Sequence, residues 1–197
     1  RRSSSAASDV YKRQGRTTLN DGLTFGSYPF GTRVQDEKIS LNTPDVLDIH
    51  GIFESTDTSD PSAPKLTLSS INTVDATTTD LLVGEIVEGK TSGTIAIFTE
   101  QLSDSQISCI PVNESEFIEG ESIFFETSNI QAIVNTVDVP SRNISADFTF
   151  NNGQRGTLYN HGFVTRKSGV DAPSKKIRIY FSNAFFESDD TGDITTT

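Results

Sequence analysis

The chain has no methionine and no tryptophan, and a single cysteine among its 197 residues. A lone thiol, Cys109 in Gln-Ile-Ser-Cys-Ile-Pro-Val, excludes an intrachain disulfide and a cysteine-cluster metal site. It reads as a small buried strand residue. Only two histidines occur, His50 and His161, far apart in sequence. No apolar run approaches the roughly 18 residues that a membrane-spanning helix requires. The start is basic, but no apolar segment follows it as a signal peptide would demand. Apolar residues make up only 34% of the chain. Thr, Ser, Asn, Asp and Gly take their place, which suits short strands and frequent turns better than long buried helices. Without an initiator methionine, and with an Ile194-Thr-Thr-Thr end lacking any terminal signature, the chain reads as a piece of a longer polypeptide.

Positive charge is also scarce. The net charge is −11, and residues 1–14 carry +3 of their own, which leaves −14 on the rest. Such a chain repels nucleic acid and anionic membranes, so neither is an expected partner.

What is present is β patterning. Residues 15–45 are punctuated by Gly and Pro and read as an extended linker. Phe25, Tyr28 and Phe30 within it would pack on a neighbouring module or offer an aromatic platform to a ligand. Val46–Phe53 is β-like, and 54–64 is a polar loop. Lys65–Ile71 sets Leu66 and Leu68 on one face, the period-2 signature of a half-buried strand.

An internal repeat follows. Val83–Phe98 (VGEIVEGKTSGTIAIF) aligns with Glu119–Val134 (EGESIFFETSNIQAIV) at an offset of 36 residues. Gly84 matches Gly120, Glu85 matches Glu121, Thr91-Ser92 matches Thr127-Ser128, and Ala96-Ile97 matches Ala132-Ile133. Each copy predicts a hairpin with its turn near Ser-Gly or Ser-Asn. Neither hairpin buries a face alone, so the two should join in one small barrel or sandwich.

Gly84–Thr91 also satisfies the phosphate-loop pattern G-x-x-x-x-G-K-[ST] letter by letter. The chemistry disagrees. Ile86 and Val87 prefer a strand, Glu85 and Glu88 would repel phosphate, and SGTIAIFTE is poor helix material. The second copy carries Phe125 and Glu126 where Gly89 and Lys90 stand. Asn113-Glu-Ser and Asn143-Ile-Ser are formal glycosylation sequons that arise easily by chance in such a composition.

In 144–186, Ile144, Ala146, Phe148 and Phe150 are placed on one face of a strand. Asn151-Asn152-Gly153 is a turn, because Asn and Gly tolerate positive φ. Residues 154–162 could form a helical turn that docks Leu158 and Tyr159. Lys176–Phe181 alternates with Ile177, Ile179 and Phe181 inward. Residues 151–181 hold six cations (Arg155, Arg166, Lys167, Lys175, Lys176, Arg178) against Asp171 alone. They form either a solvated face or a dock for an acidic neighbour. Glu187, Asp189, Asp190 and Asp193 lack EF-hand spacing and are not assigned to a metal. His161 has no identifiable nucleophile or carboxylate partner, so no catalytic residue is assigned.

Three resemblances add to this. Phe150, Asn152, Gly153, Gln154, Arg155, Tyr159, His161 and Gly162, with Ala172-Pro173, Phe185 and Gly192-Asp193, resemble a module of unknown function in large virion structural proteins of T4-like phages, especially marine cyanophages. These eight residues from Phe150 to Gly162 are the expected structural signature. Gly156 and Asn160 depart from it where the family pattern has Asp, which weakens any Arg155–carboxylate network. The repeat hairpins resemble those of phage tail and fibre proteins. Residues 3–14 resemble translated adapter read-through, so 1–14 are expected to lie outside the fold.

The resulting expectation is an all-β chain of two small modules of short antiparallel strands and hairpins, barrel or sandwich, with little helix. The modules are 46–140, carrying the hairpin repeat, and 141–197, incomplete at its C-terminus. The resemblance implies a non-catalytic virion structural module from the tail, baseplate or fibre. It needs no cofactor and no metal, and its partners are other virion proteins and copies of itself. A host-surface or glycan-binding adhesin, with Tyr28, Phe30 or Tyr159 as stacking platforms and a host receptor as partner, is the alternative.

Overall fold

A computed structural model describes residues 2–6, 33–71, 80–156 and 158–185. In chain order the strands are β1 (Arg2–Ala6), β2 (Lys38–Ser40), β3 (Val46–Ser55), β4 (Lys65–Ile71), β5 (Ile86–Gly89), β6 (Ile95–Ser103), β7 (Gln106–Pro111) and β8 (Ser122–Phe125). They continue as β9 (Ile130–Asp138), β10 (Ser141–Asn143), β11 (Phe148–Asn151), β12 (Gln154–Arg155), β13 (Leu158–Tyr159), β14 (Phe163–Arg166) and β15 (Ile177–Phe185). The ladders β1–β15, β3–β15, β2–β14, β11–β14 and β12–β13, and the six that join β4 to β9, are antiparallel. The protein is all-β, as its composition implies. Among the described residues, no helix is long and apolar enough to cross a membrane.

The chain divides into two units, but not where the sequence suggests. One comprises residues 1–60 and 143–197; the other, 61–142, is inserted between them. The expected boundary at residue 46 moves because β3 pairs along nearly its whole length with β15, from Ile177↔Glu54 to Asn183↔Val46. Two strands 120 residues apart cannot be recognised as partners from local alternation.

In the discontinuous unit, β15 lies between β1 and β3 in one sheet, and a second sheet has the order β11-β14-β2. Their core joins Ile39, Leu41, Ile52, Phe148, Val164 and Ile179, among others. Ile177, Ile179 and Phe181 point inward as expected, and Tyr180 is buried too, beside a register shift between Tyr180 and Phe181. Its ring meets Phe53 edge-on at 5.8 Å. Four sequence expectations change here. Arg2–Ala6, placed outside the fold by its resemblance, forms β1 against Phe181–Phe185. Lys38–Ser40, within the expected linker, pairs with β14. Ser145–Asp147 is a 3-10 turn that leaves Ala146 exposed instead of in a strand with Ile144. Residues 154–162 hold the short ladder β12–β13, not a helical turn.

The inserted unit is a closed barrel of order β4-β7-β6-β5-β8-β9. The two repeat hairpins are β5–β6 and β8–β9. They meet through β5 and β8 with Val87↔Phe125, Glu88↔Phe124 and Gly89↔Ile123. Phe124 is the repeat counterpart of Glu88, so this ladder maps onto itself and a local two-fold axis passes through that pair. The symmetry extends outward. Gly84 N–H donates to Phe98 O (2.8 Å) and Gly120 N–H to Val134 O (2.7 Å). The shift between Phe98 and Glu100 on β6 recurs at Val134 and Thr136 on β9. Closure leaves the barrel no edge strand. A six-stranded barrel is narrow, and side chains fill it. Phe98 and Phe125 meet edge-on at 6.4 Å. Their repeat counterparts are the small residues Val134 and Gly89, so each half contributes one large ring and one gap.

Candidate functional site

The signature residues gather at the turn between β11 and β14. Asn151 Oδ1 accepts from Gly153 N–H (2.9 Å), and Asn152 Oδ1 accepts from Gln154 N–H (3.1 Å). These are Asx turns, side chains standing in for a backbone turn. Gly153 has φ +77, and a Cβ there would lie 2.3 Å from His161 O and 2.6 Å from Asn160 O. Only glycine fits. Gly162 is buried against Val46 and Leu41. Its N–H donates to Thr43 O (2.9 Å), and its carbonyl accepts from Leu41 N–H (2.8 Å). The Gln154 side-chain amide donates to Asp45. The turn is thereby sewn to residues 41–46, all but Val46 of which fall in the expected linker.

The remaining signature positions take less specific places. Phe150 packs half-buried on the core. Arg155 and His161 are exposed, and Asn160 Oδ1 accepts from His161 N–H (2.9 Å). Tyr159 lies opposite Gln154 in the β12–β13 ladder. Phe25, Tyr28, Phe30 and the acidic group Glu187, Asp189, Asp190 and Asp193 lie outside the described residues. Of the six cations, Arg166, Lys167 and Lys176 have local partners within this unit. Arg166 donates to Gln35 O and Asp36 O, Lys167 to Ala146 O, and Lys176 pairs with Asp60 (2.9 Å). Among the described residues, no group of three or more His, Cys, Asp and Glu side chains could hold a metal.

The phosphate-loop pattern is strand material. Ile86–Gly89 is β5, Lys90–Ser92 is the hairpin turn, and β6 begins at Ile95 where such a loop requires a helix. Lys90 pairs with Glu88 at 2.6 Å. Cys109 is fully buried in β7, where burial and then the Glu85 carboxylate push its thiol well above the ordinary range. That thiol is a core side chain and not a nucleophile.

Sequence reasoning missed three buried glutamates. Glu54, Glu85 and Glu121 are each less than 6% exposed (3%, 5% and 4%). Glu54 Oε1 accepts from Ser174 N–H (2.7 Å) and Lys175 N–H (3.0 Å). Glu121 accepts from Ile118 N–H (2.6 Å), Thr91 N–H (3.1 Å), Ser92 N–H (3.0 Å) and the Ser92 hydroxyl. Glu85 makes the same set with Leu82 N–H (2.8 Å), Thr127 N–H (3.2 Å), Ser128 N–H (2.9 Å) and the Ser128 hydroxyl. Each repeat's glutamate thus closes the other repeat's turn. Gly89 leaves room for one of them, since a Cβ there would lie 2.8 Å from Glu121 Oε2. Burial pushes the Glu121 carboxyl up, but bonds from Ser92, Ile118 and Thr91 outweigh it and hold the group below its ordinary value. The matching Gly-Glu and Thr-Ser pairs were the available signal. Their crossed connection needs the two-fold.

Compared with known proteins, the chain matches no family model, no curated protein and no solved structure.

Proposed function

We propose that this chain is a module of a phage virion structural protein, from the tail, baseplate or fibre, acting in assembly and not in catalysis. The observation that carries the reading is the use made of the signature residues. Of these, Asn152, Gly153, Gln154 and Gly162, together with the neighbouring Asn151, are spent on closing a turn and fastening it to residues 41–46. They build a corner whose turn-forming polar groups are engaged within it, which supports a structural use. Two compact β units, the sequence of one interrupting that of the other, suit a spacer or docking module, because a closed barrel presents faces without exposing an edge. Its partners on this reading are other virion proteins and further copies of the same chain, and its location is the virion.

Antibodies raised against the chain, applied to purified intact virions, test the proposal. Discrete labelling at the tail, baseplate or fibres is the expected result. Virions whose protein digests contain no peptide of this sequence, from hosts that express it, would overturn it.

A further inference from the structure

We infer that Glu85 and Glu121 form one coupled, acid-releasable latch on the barrel, in which opening either hairpin turn loosens the other. Glu85 stands immediately before β5, whose far end leads into the Thr91-Ser92 turn that Glu121 holds. Glu121 stands immediately before β8, whose far end leads into the Thr127-Ser128 turn that Glu85 holds. The strands between are four residues each and pair with one another. Loss of one anchor therefore loosens a short ladder on which the second anchor depends.

Each carboxylate accepts from three backbone N–H groups and one hydroxyl. An ionised carboxylate is acceptor-only and suits this set. A protonated one turns an oxygen into a donor facing N–H groups, and acceptance fails there. The charged surroundings do little to replace it. Lys90, in the turn held by Glu121, has its ammonium on Glu88 and over the Phe124 ring. Glu126 lies in the turn held by Glu85, Asp80 and Glu119 lie in the two lead-in segments, and Cys109 of β7 feels the Glu85 charge. None of these brings a cation to either carboxylate.

Amide hydrogen exchange followed by NMR on the full chain tests the latch. On acidification from neutral pH to below the depressed range of the Glu121 carboxyl, the Ser92 and Ser128 amides should lose protection in one common transition of slope above one proton. At neutral pH, Glu121→Gln should speed exchange at Ser128 as well as Ser92, and Glu85→Gln at Ser92 as well as Ser128, each by tenfold or more. The Cys109 amide, which donates to Pro64 O (3.0 Å) in the barrel, reports whether the variant barrel remains folded at neutral pH. Release of Ser92 and Ser128 at separate pH values, or an effect of each variant confined to its own turn, would overturn the coupling. Should a variant fail to fold, the wild-type titration decides alone.

Discussion

Alanine at Gly153 is expected to destabilise the discontinuous unit by ~3–4 kcal/mol. Two terms make up that figure. A non-glycine residue held at φ +77 carries roughly 1–2 kcal/mol of backbone strain. The new Cβ would also sit 2.3 Å from His161 O and 2.8 Å from His161 C, both backbone atoms that no side-chain rotation can move. Relief requires the turn to open, at the expense of Asn160 N–H to Gly153 O (3.3 Å) and Gly153 N–H to Asn151 Oδ1 (2.9 Å). Each such bond contributes about 1 kcal/mol net. Gly156→Ala is the matched control, because Gly156 has φ +59 but nothing within 4 Å of its Cβ direction. It should carry the strain term alone, roughly 1–2 kcal/mol. The assay is urea unfolding followed by tyrosine fluorescence. Tyr11, Tyr28, Tyr159 and Tyr180 all fall outside residues 61–142, and the chain has no tryptophan, so the signal reports this unit and not the barrel. Equal losses for Gly153→Ala and Gly156→Ala would refute the contact argument. A loss below the strain term for both would refute the whole estimate.

Other outcomes follow from the same reasoning. Glu121→Ala leaves the Ile118, Thr91 and Ser92 N–H groups without their acceptor and should destabilise the barrel by ~3–5 kcal/mol. Glu88→Ala, on an exposed pair with Lys90, should stay within ~0.5 kcal/mol by calorimetry. Phe98→Ala should cost ~3–5 kcal/mol, since the ring is buried against Phe125 in a closed barrel with no edge to collapse. Burial holds the His50 imidazole below its ordinary value, against a smaller upward pull from Asp48, and its Nε2 is buried with no hydrogen-bond partner among the described residues. The unfolded state therefore gains the proton first. Stability should fall as pH drops through about 6.5 and level off below the folded value. A His50→Gln variant with the same slope in that window would speak against this assignment.

Local chemistry was legible from residues alone. The all-β character followed from Thr, Ser and Gly usage and from alternation in Leu66–Leu68 and Ile177–Phe181, because side-chain period is a local property. The hairpins followed from a repeat whose turn residues recur, and the strand nature of Ile86–Gly89 from β-branched side chains and carboxylates that no phosphate would tolerate. The turn at Asn151-Asn152-Gly153 followed from backbone preference. What the tertiary structure alone decided is which distant pieces meet. β3 joins β15 although the whole barrel sequence separates them, residues 41–46 fasten the signature turn, and Glu85 and Glu121 exchange partners across a two-fold. Alternation shows that a strand has a buried face, but not which strand lies beside it. A glutamate in a polar sequence looks like any solvated charge until folding brings three N–H groups to its carboxylate.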